Sequence, residues 1–161
     1  MSDSEGQIRN FLVVVDDTPE CRLAMRWAAR RAMRLDGGGG VVLLRVTEPP
    51  DFQHWMGVGE LMREEAREEA EQLLTNLAKE LLEGTTLTPQ FVIREGDLAE
   101  QVQSVIDDDK SIRILVLGAS AESGGPGPLV KRFAGERSGT LRIPVTVVPG
   151  TLSRDDVDML S

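Results

Sequence analysis

Cysteine and histidine occur once each in this chain of 161 residues, and positive charge is scarce: 18 Lys and Arg stand against 27 Asp and Glu, a formal net charge of −9. The lone thiol, Cys21, cannot close an intramolecular disulfide, which fits a reducing compartment. An acidic chain lacks the clustered Lys and Arg on which general nucleic-acid binding depends, so any anion has to be held locally. No apolar run approaches the roughly 20 residues that span a bilayer. The opening Met1-Ser2-Asp3-Ser4-Glu5-Gly6 carries neither the basic nor the apolar region of a signal peptide. These absences predict a cytoplasmic protein with neither a nucleic-acid nor a membrane partner.

Chemistry-bearing clusters are also missing. No nucleophile, base and acid are recognisable as a set, so no catalytic residue is assigned. His54 has no Cys or His at metal-ligand spacing and reads as structural or exposed. Asp107-Asp108-Asp109 reads as the solvated end of a helix, since three carboxylates alone do not make a metal site. Cys21 reads as a small buried filler, having neither a visible base nor a resolving thiol.

What is present is the pattern of a single folded domain. Hydrophobic residues make up 40% of the chain and charged residues 28%, ordinary values for a globular protein. The length is near that of one domain and supports a core without disulfides or a structural metal. Phe11 to Val15 is an unbroken apolar run, as expected of a strand buried on both faces, and it ends in Asp16-Asp17. Asp16 at this strand-to-helix turn suits either a ribose or Mg²⁺ ligand or a solvated cap; Asp17 is the weaker candidate. Thr18-Pro19-Glu20 starts a helix: Thr caps free amides, Pro fits the first helical position and Glu faces the positive end of the dipole. Ala24, Ala28, Ala32 and Leu35 mark one side of that helix, and Arg22, Arg26, Arg30 and Arg34 form a basic row elsewhere on it.

Val41 to Val46 is a second buried strand, stopped by Pro49-Pro50. The following loop, 51–59, holds Phe52, His54, Trp55 and Met56 and is expected to pack on its own domain. Glu60 to Glu83 is the clearest helix, with Ala66, Ala70, Leu73, Leu77 and Leu81 on one face. Pro89 to Glu95 is a third strand, and Asp97 caps a third helix whose buried face is Leu98, Val102 and Val105. Ile112 to Leu117 is a fourth strand, 118–128 a loop of small residues, and Leu129 to Ser138 a fourth helix. Pro144 to Val148 closes the series as a short fifth strand. Strands alternating with helices predict a parallel sheet with right-handed crossovers and helices on both faces. The folded domain is expected over residues 8–149, with 1–7 and 150–161 as flexible termini.

Phe11-Leu12-Val13-Val14-Val15-Asp16, Leu43-Leu44-Arg45-Val46, Gly96-Asp97 and Ile143-Pro144-Val145-Thr146-Val147-Val148, in this order, resemble the universal stress protein family. The resemblance runs from about Ile8 to Pro149. It implies an α/β fold with a doubly wound five-stranded parallel sheet of strand order 3-2-1-4-5, and homodimers paired through the last strand, here Val145 to Val148. In such a sheet ligands bind beyond the carboxyl ends of the strands where the order reverses, between strands one and four, with Asp16 opposite Gly118.

Nucleotide-binding members of the family carry G-x(2)-G-x(9)-G-[S/T] after strand four. This chain keeps Gly118, has Ala121 at the second glycine position, and has Lys131-Arg132 in place of the G-[S/T] pair. A side chain at a glycine position obstructs backbone approach to phosphate, so the standard triphosphate cradle is altered. Ser123-Gly124-Gly125-Pro126-Gly127, with Lys131 and Arg132 near a helix start, offers amides and charge for another anion geometry; a plain flexible loop with solvated basic residues is the competing reading.

Two functions follow. The resemblance implies a stress-response module holding an adenine nucleotide, ATP or AMP, with Mg²⁺ for a triphosphate, or a related anion, and at most slow nucleotide hydrolysis. The adenine is expected near Val46 and the phosphates toward Gly127, Lys131 or Arg132. The alternative is a nucleotide-independent dimeric interaction module, contacting protein partners through the Phe52 to Met56 loop or the acidic helix. A flavodoxin-like or response-regulator domain ranks behind both, lacking a phosphoacceptor constellation.

Overall fold

The structure is a computed structural model that describes residues 8–50, 56–83 and 85–161. The expectations for Phe52, His54 and Trp55 fall outside the described residues, as does residues 1–7. Five strands, β1 (Arg9–Val14), β2 (Gly39–Thr47), β3 (Gln90–Glu95), β4 (Ile112–Ala119) and β5 (Val145–Pro149), alternate with α1 (Pro19–Arg34), α2 (Met56–Leu82), α3 (Leu98–Asp108) and α4 (Pro128–Lys131); α5 (Arg154–Leu160) follows β5. All strand pairs are parallel and the order is β3-β2-β1-β4-β5. The doubly wound sheet expected from the sequence is therefore the one observed.

The apolar runs explain how the layers form. Successive side chains of a strand point to opposite faces, so an unbroken run supplies two cores. On β1 and just beyond it, Phe11, Val13 and Val15 enter the core under α1 and α2, while Leu12 enters the one under α3. The first core holds Ala24, Ala28 and Ala32 of α1, whose small side chains let the helix lie close to the sheet, with Leu74 and Leu77 of α2. The second holds Val102, Val105 and Ile106 of α3 with Phe133 and Ile143. Helix starts follow the capping signals: Thr18 Oγ1 accepts from the Cys21 amide at 3.2 Å and Asp97 from the Glu100 amide at 3.0 Å. Arg142 reaches back to the carbonyls of Ile106, Asp109 and Ile112, tying the end of α3 to the approach to β5.

α2 begins at Met56, so residues 56–59 are helical where a loop was expected; two further segments differ from the sequence expectation. The fourth helix is only Pro128–Lys131 in α form and continues as a π-helical turn over Arg132–Glu136, where Phe133 is buried as the plug between turn and sheet. The second of these is 150–161, expected to be a flexible terminus, where α5 forms and docks on α1. Ser153 and Asp156 form a reciprocal capping box at its start, and Val157 is fully buried. Asp158 accepts two hydrogen bonds from Arg26, at 2.6 and 2.7 Å, and lies 3.3 Å from Arg30. Arg30 also donates to the Ser161 hydroxyl at 3.1 Å and Arg31 to the Ser161 carbonyl at 3.3 Å. The basic row of α1 is thus the landing site of an acidic seven-residue helix. A segment this short is marginal alone and is held by its docking.

The Arg26 guanidinium holds the Asp158 carboxyl below the ordinary carboxylate range, chiefly by hydrogen bonding. A depressed folded-state pKa contributes stability that is complete above the ordinary carboxylate pKa of about 4 and is lost as pH falls through the lowered value. Asp158→Asn is therefore expected to lower the thermal midpoint at pH 7, with the gap to the parent closing in strong acid. Thermal unfolding followed across pH checks this; a gap independent of pH would contradict it.

Candidate functional site

The order of the sheet reverses at β1, which pairs with β2 on one side and β4 on the other. Chains leaving β1 and β4 therefore diverge to opposite faces and leave a crevice beyond their carboxyl ends. Two joined cavities occupy this end of the sheet. The narrower, about 260 Å³, lies between the ends of β1 and β4 and is walled by Val14, Asp16, the first turn of α1 at Thr18 to Cys21, Leu117, Gly118, Ser120 and Pro126 to Val130. The wider, about 1010 Å³, extends across the ends of β2 and β3 toward α2 and includes Arg45, Val46, Thr47, Glu48, Gly96, Asp97, Ala70 and Leu73. Ligand pockets are typically roughly 300–1,000 Å³. Val14, Asp16, Leu98 and Leu129 line both, so Asp16 stands where the two meet.

Of the residues singled out from sequence, Asp16, Gly118 and Gly127 come together on the narrower cavity, and Val46 lies on the wider one with Asp16. Ala121, Lys131 and Arg132 line neither. Ala121 is exposed on the loop, and Lys131 lies over the adjacent turn, where a Cβ added to Gly125 would meet its Cε at 3.4 Å. The positions that sequence reasoning missed, Arg45, Leu98, Leu129 and Glu20, sit at strand ends or helix starts facing the crevice. The rule that ligands bind beyond parallel strand ends reaches all four once the strand order is known.

Local bonding fixes the walls. Thr18 Oγ1 donates to Asp16, setting the carboxylate beside the cap of α1. Asp17 turns away to pair with Arg22 at 3.2 Å. Arg45 donates to the Val15 carbonyl at 3.2 Å, bridging the ends of β1 and β2. Burial pushes the Cys21 thiol up to about 12, against the pull of a hydrogen bond from the Asp16 amide. At neutral pH that thiol is protonated and is no nucleophile. Among the described residues no group of three or more His, Cys, Asp or Glu side chains is arranged to hold a metal ion, and no helix is long and apolar enough to cross a membrane.

Gly118 is required by packing. A Cβ there would lie 2.4 Å from the Glu20 carbonyl oxygen and 2.6 Å from its carbon, backbone atoms that cannot swing aside. Gly150 is pressed on the same seam: its own Cβ would stand 2.7 Å from the Ala119 carbonyl and 3.3 Å from the Glu20 Cβ. Gly127 is different. At φ +104° it precedes Pro128 and turns the chain into α4, a conformation that favours glycine.

A family model described as the universal stress protein family matches residues 7–149. The chain belongs to this family. No match is found among curated protein sequences. Among solved structures, universal stress protein UspA from Lactobacillus plantarum is similar at 16% identity and a TM-score of 0.68, covering 88% of this chain and 98% of that one. A universal stress protein family protein from Arabidopsis thaliana, solved with AMP bound, is 14% identical with a TM-score of 0.57, covering 88% and 91%. A universal stress protein in complex with cAMP is 12% identical with a TM-score of 0.60, covering 88% and 97%. Identities this low speak to the shared fold.

The contact between Gly118 and Glu20 is directly testable. Gly118→Ala is expected to destabilise the protein by about 1–3 kcal/mol, the range of overpacked positions. In urea unfolding this reads as a lower midpoint with an unchanged slope, and an unchanged midpoint would refute the packing role.

Proposed function

We propose that this universal stress protein family member is a cytoplasmic stress-response module whose crevice receives an adenine nucleoside or nucleotide and whose β5 edge pairs two copies. One observation carries the ligand half: Asp16 stands at the junction of two cavities at the point where the strand order reverses. The adenine would lie against Val46 and Leu98, the ribose would bond the Asp16 carboxylate, and any phosphate would extend into the narrower cavity past Gly118 toward Gly127. The AMP and cAMP complexes of similar folds support this reading. No residue is assigned a catalytic role. If a triphosphate is bound it would bring Mg²⁺ with it.

Nucleotides released from freshly purified protein, identified by mass spectrometry, and calorimetric titration with adenine ligands test the reading together. Saturable one-to-one binding is expected, weakened roughly tenfold by Asp16→Ala, as the loss of a charge-assisted hydrogen bond of about 1.5 kcal/mol implies. Absence of saturable binding would overturn it in favour of a nucleotide-independent dimeric interaction module.

The dimer half rests on the sheet order. Among the described residues β5 pairs with β4 alone, Val145 and Val147 are half-buried, and a free strand edge presents unpaired backbone groups. Sedimentation is expected to give a dimer that the Val145→Lys, Val147→Lys double variant shifts toward monomer. A monomer at every concentration would refute it.

A further inference from the structure

We propose that the crevice selects an uncharged adenine nucleoside over its phosphorylated forms, an inference that rests on the adenine-site reading above. Its ground is the sign of the charge on the walls. Among the described residues, the ionised groups lining the narrower cavity are Asp16 and Glu20, with no Lys or Arg. The wider cavity adds Glu48, Glu69 and Asp97, and Asp17 with its charge met by Arg22 at 3.2 Å, against one guanidinium among the described lining residues, Arg45. Arg45 keeps its charge while donating to the neutral Val15 carbonyl, but it lines only the wider cavity, on the β2 side. A phosphate entering past Gly118 meets Asp16, which is exposed, and Glu20, which is half-buried, so their repulsion acts at short range and is weakened by salt.

The elements expected to offset that repulsion are placed elsewhere. Lys131 and Arg132 line neither cavity. The helical run that begins at Pro128 and continues to Glu136 starts on the narrower cavity, but its first residue is a proline with no amide to donate. The space opened by the missing side chain of Gly118 is filled by the Glu20 carbonyl, an acceptor that repels phosphate where a donor is needed. The carboxylates are also not gathered into a metal cage that would let a cation mediate the contact. A ribose asks only for hydrogen-bond acceptors and an adenine for apolar walls and backbone polar groups. Asp16, Val14, Val46, Leu98 and Leu129 supply these without any positive charge.

Calorimetric titration of the full chain with adenosine, AMP and ATP, each with and without Mg²⁺ and at low and high salt, tests the order. Adenosine is expected to bind tightest, AMP about tenfold weaker and ATP weaker again, with the gaps narrowing in high salt as the wall charges are screened. Glu20→Gln, checked for an intact fold by circular dichroism, is expected to narrow the gap between AMP and adenosine about threefold. ATP or AMP binding as tightly as adenosine, with or without Mg²⁺, overturns this inference and leaves the adenine site standing. A gap unaltered by salt and by Glu20→Gln overturns its electrostatic origin. Failure of all three ligands to bind removes the adenine site itself, and the inference with it.

Discussion

The first turn of α1 is pressed against the ends of β4 and β5 with no side chain between them. The Glu20 carbonyl occupies the place where Gly118 would carry a Cβ, and the Glu20 Cβ lies against Gly150. That seam sets how far α1 stands from the sheet, and so sets the width of the narrower cavity, which runs from Asp16 and Thr18 on one wall to Gly118 and Ser120 on the other. It is continued by the Gly150 amide, which donates to the Ala119 carbonyl at 2.7 Å and directs the chain from β5 back toward α1. α5 then docks on the same helix through Val157 and Asp158. A residue that a motif reading assigns to ligand is thereby a structural requirement of the helix beside it.

The sheet was legible in the sequence because buried parallel strands leave a strong mark. Phe11 to Val15, Val41 to Val46 and Ile112 to Leu117 are apolar on both faces, and only a strand covered on both sides satisfies such runs. Capping chemistry was equally readable at Thr18 and Asp97, since a polar side chain before a helix has one local task. The strand order came with the family resemblance, because periodicity carries no information on which strands are neighbours.

What was hidden depends on contacts between distant residues. α5 has one fully buried apolar side chain, Val157, beside three aspartates and an exposed Met159 and Leu160, too little apolar burial to mark a helix in its own seven residues. Its partners, Arg26, Arg30 and Arg31, lie more than a hundred residues earlier. The same limit applies to the site. Asp16, Val46 and Gly118 lie at strand ends and, with Gly127 at the start of α4, line the cavities, whereas Lys131 and Arg132 were placed by counting residues along a motif across a loop and line neither.

The distribution of charge connects fold to crevice. Much of the scarce positive charge is committed to clamps: Arg22 to Asp17 and Glu80, Arg26 and Arg30 to Asp158, Arg63 to Glu95, and Arg142 to the carbonyls at the end of α3. Arg31 adds a contact over the Trp27 ring at 5.7 Å, and Trp27 in turn meets Phe11 edge to face at 6.1 Å. Guanidinium groups suit such positions because each directs several donors in fixed geometry toward carboxylates or carbonyls. Arg22 and Arg63 stand near the strand ends but are paired there with Asp17 and Glu95, while Arg26 and Arg30 face α5, which leaves Asp16 and Glu20 as the charged side chains that line the narrower cavity. Backbone amides can hold a phosphate and gathered cations strengthen that hold; in this fold, of net charge −9, Arg26, Arg30 and Arg31 gather on α1, where α5 covers them.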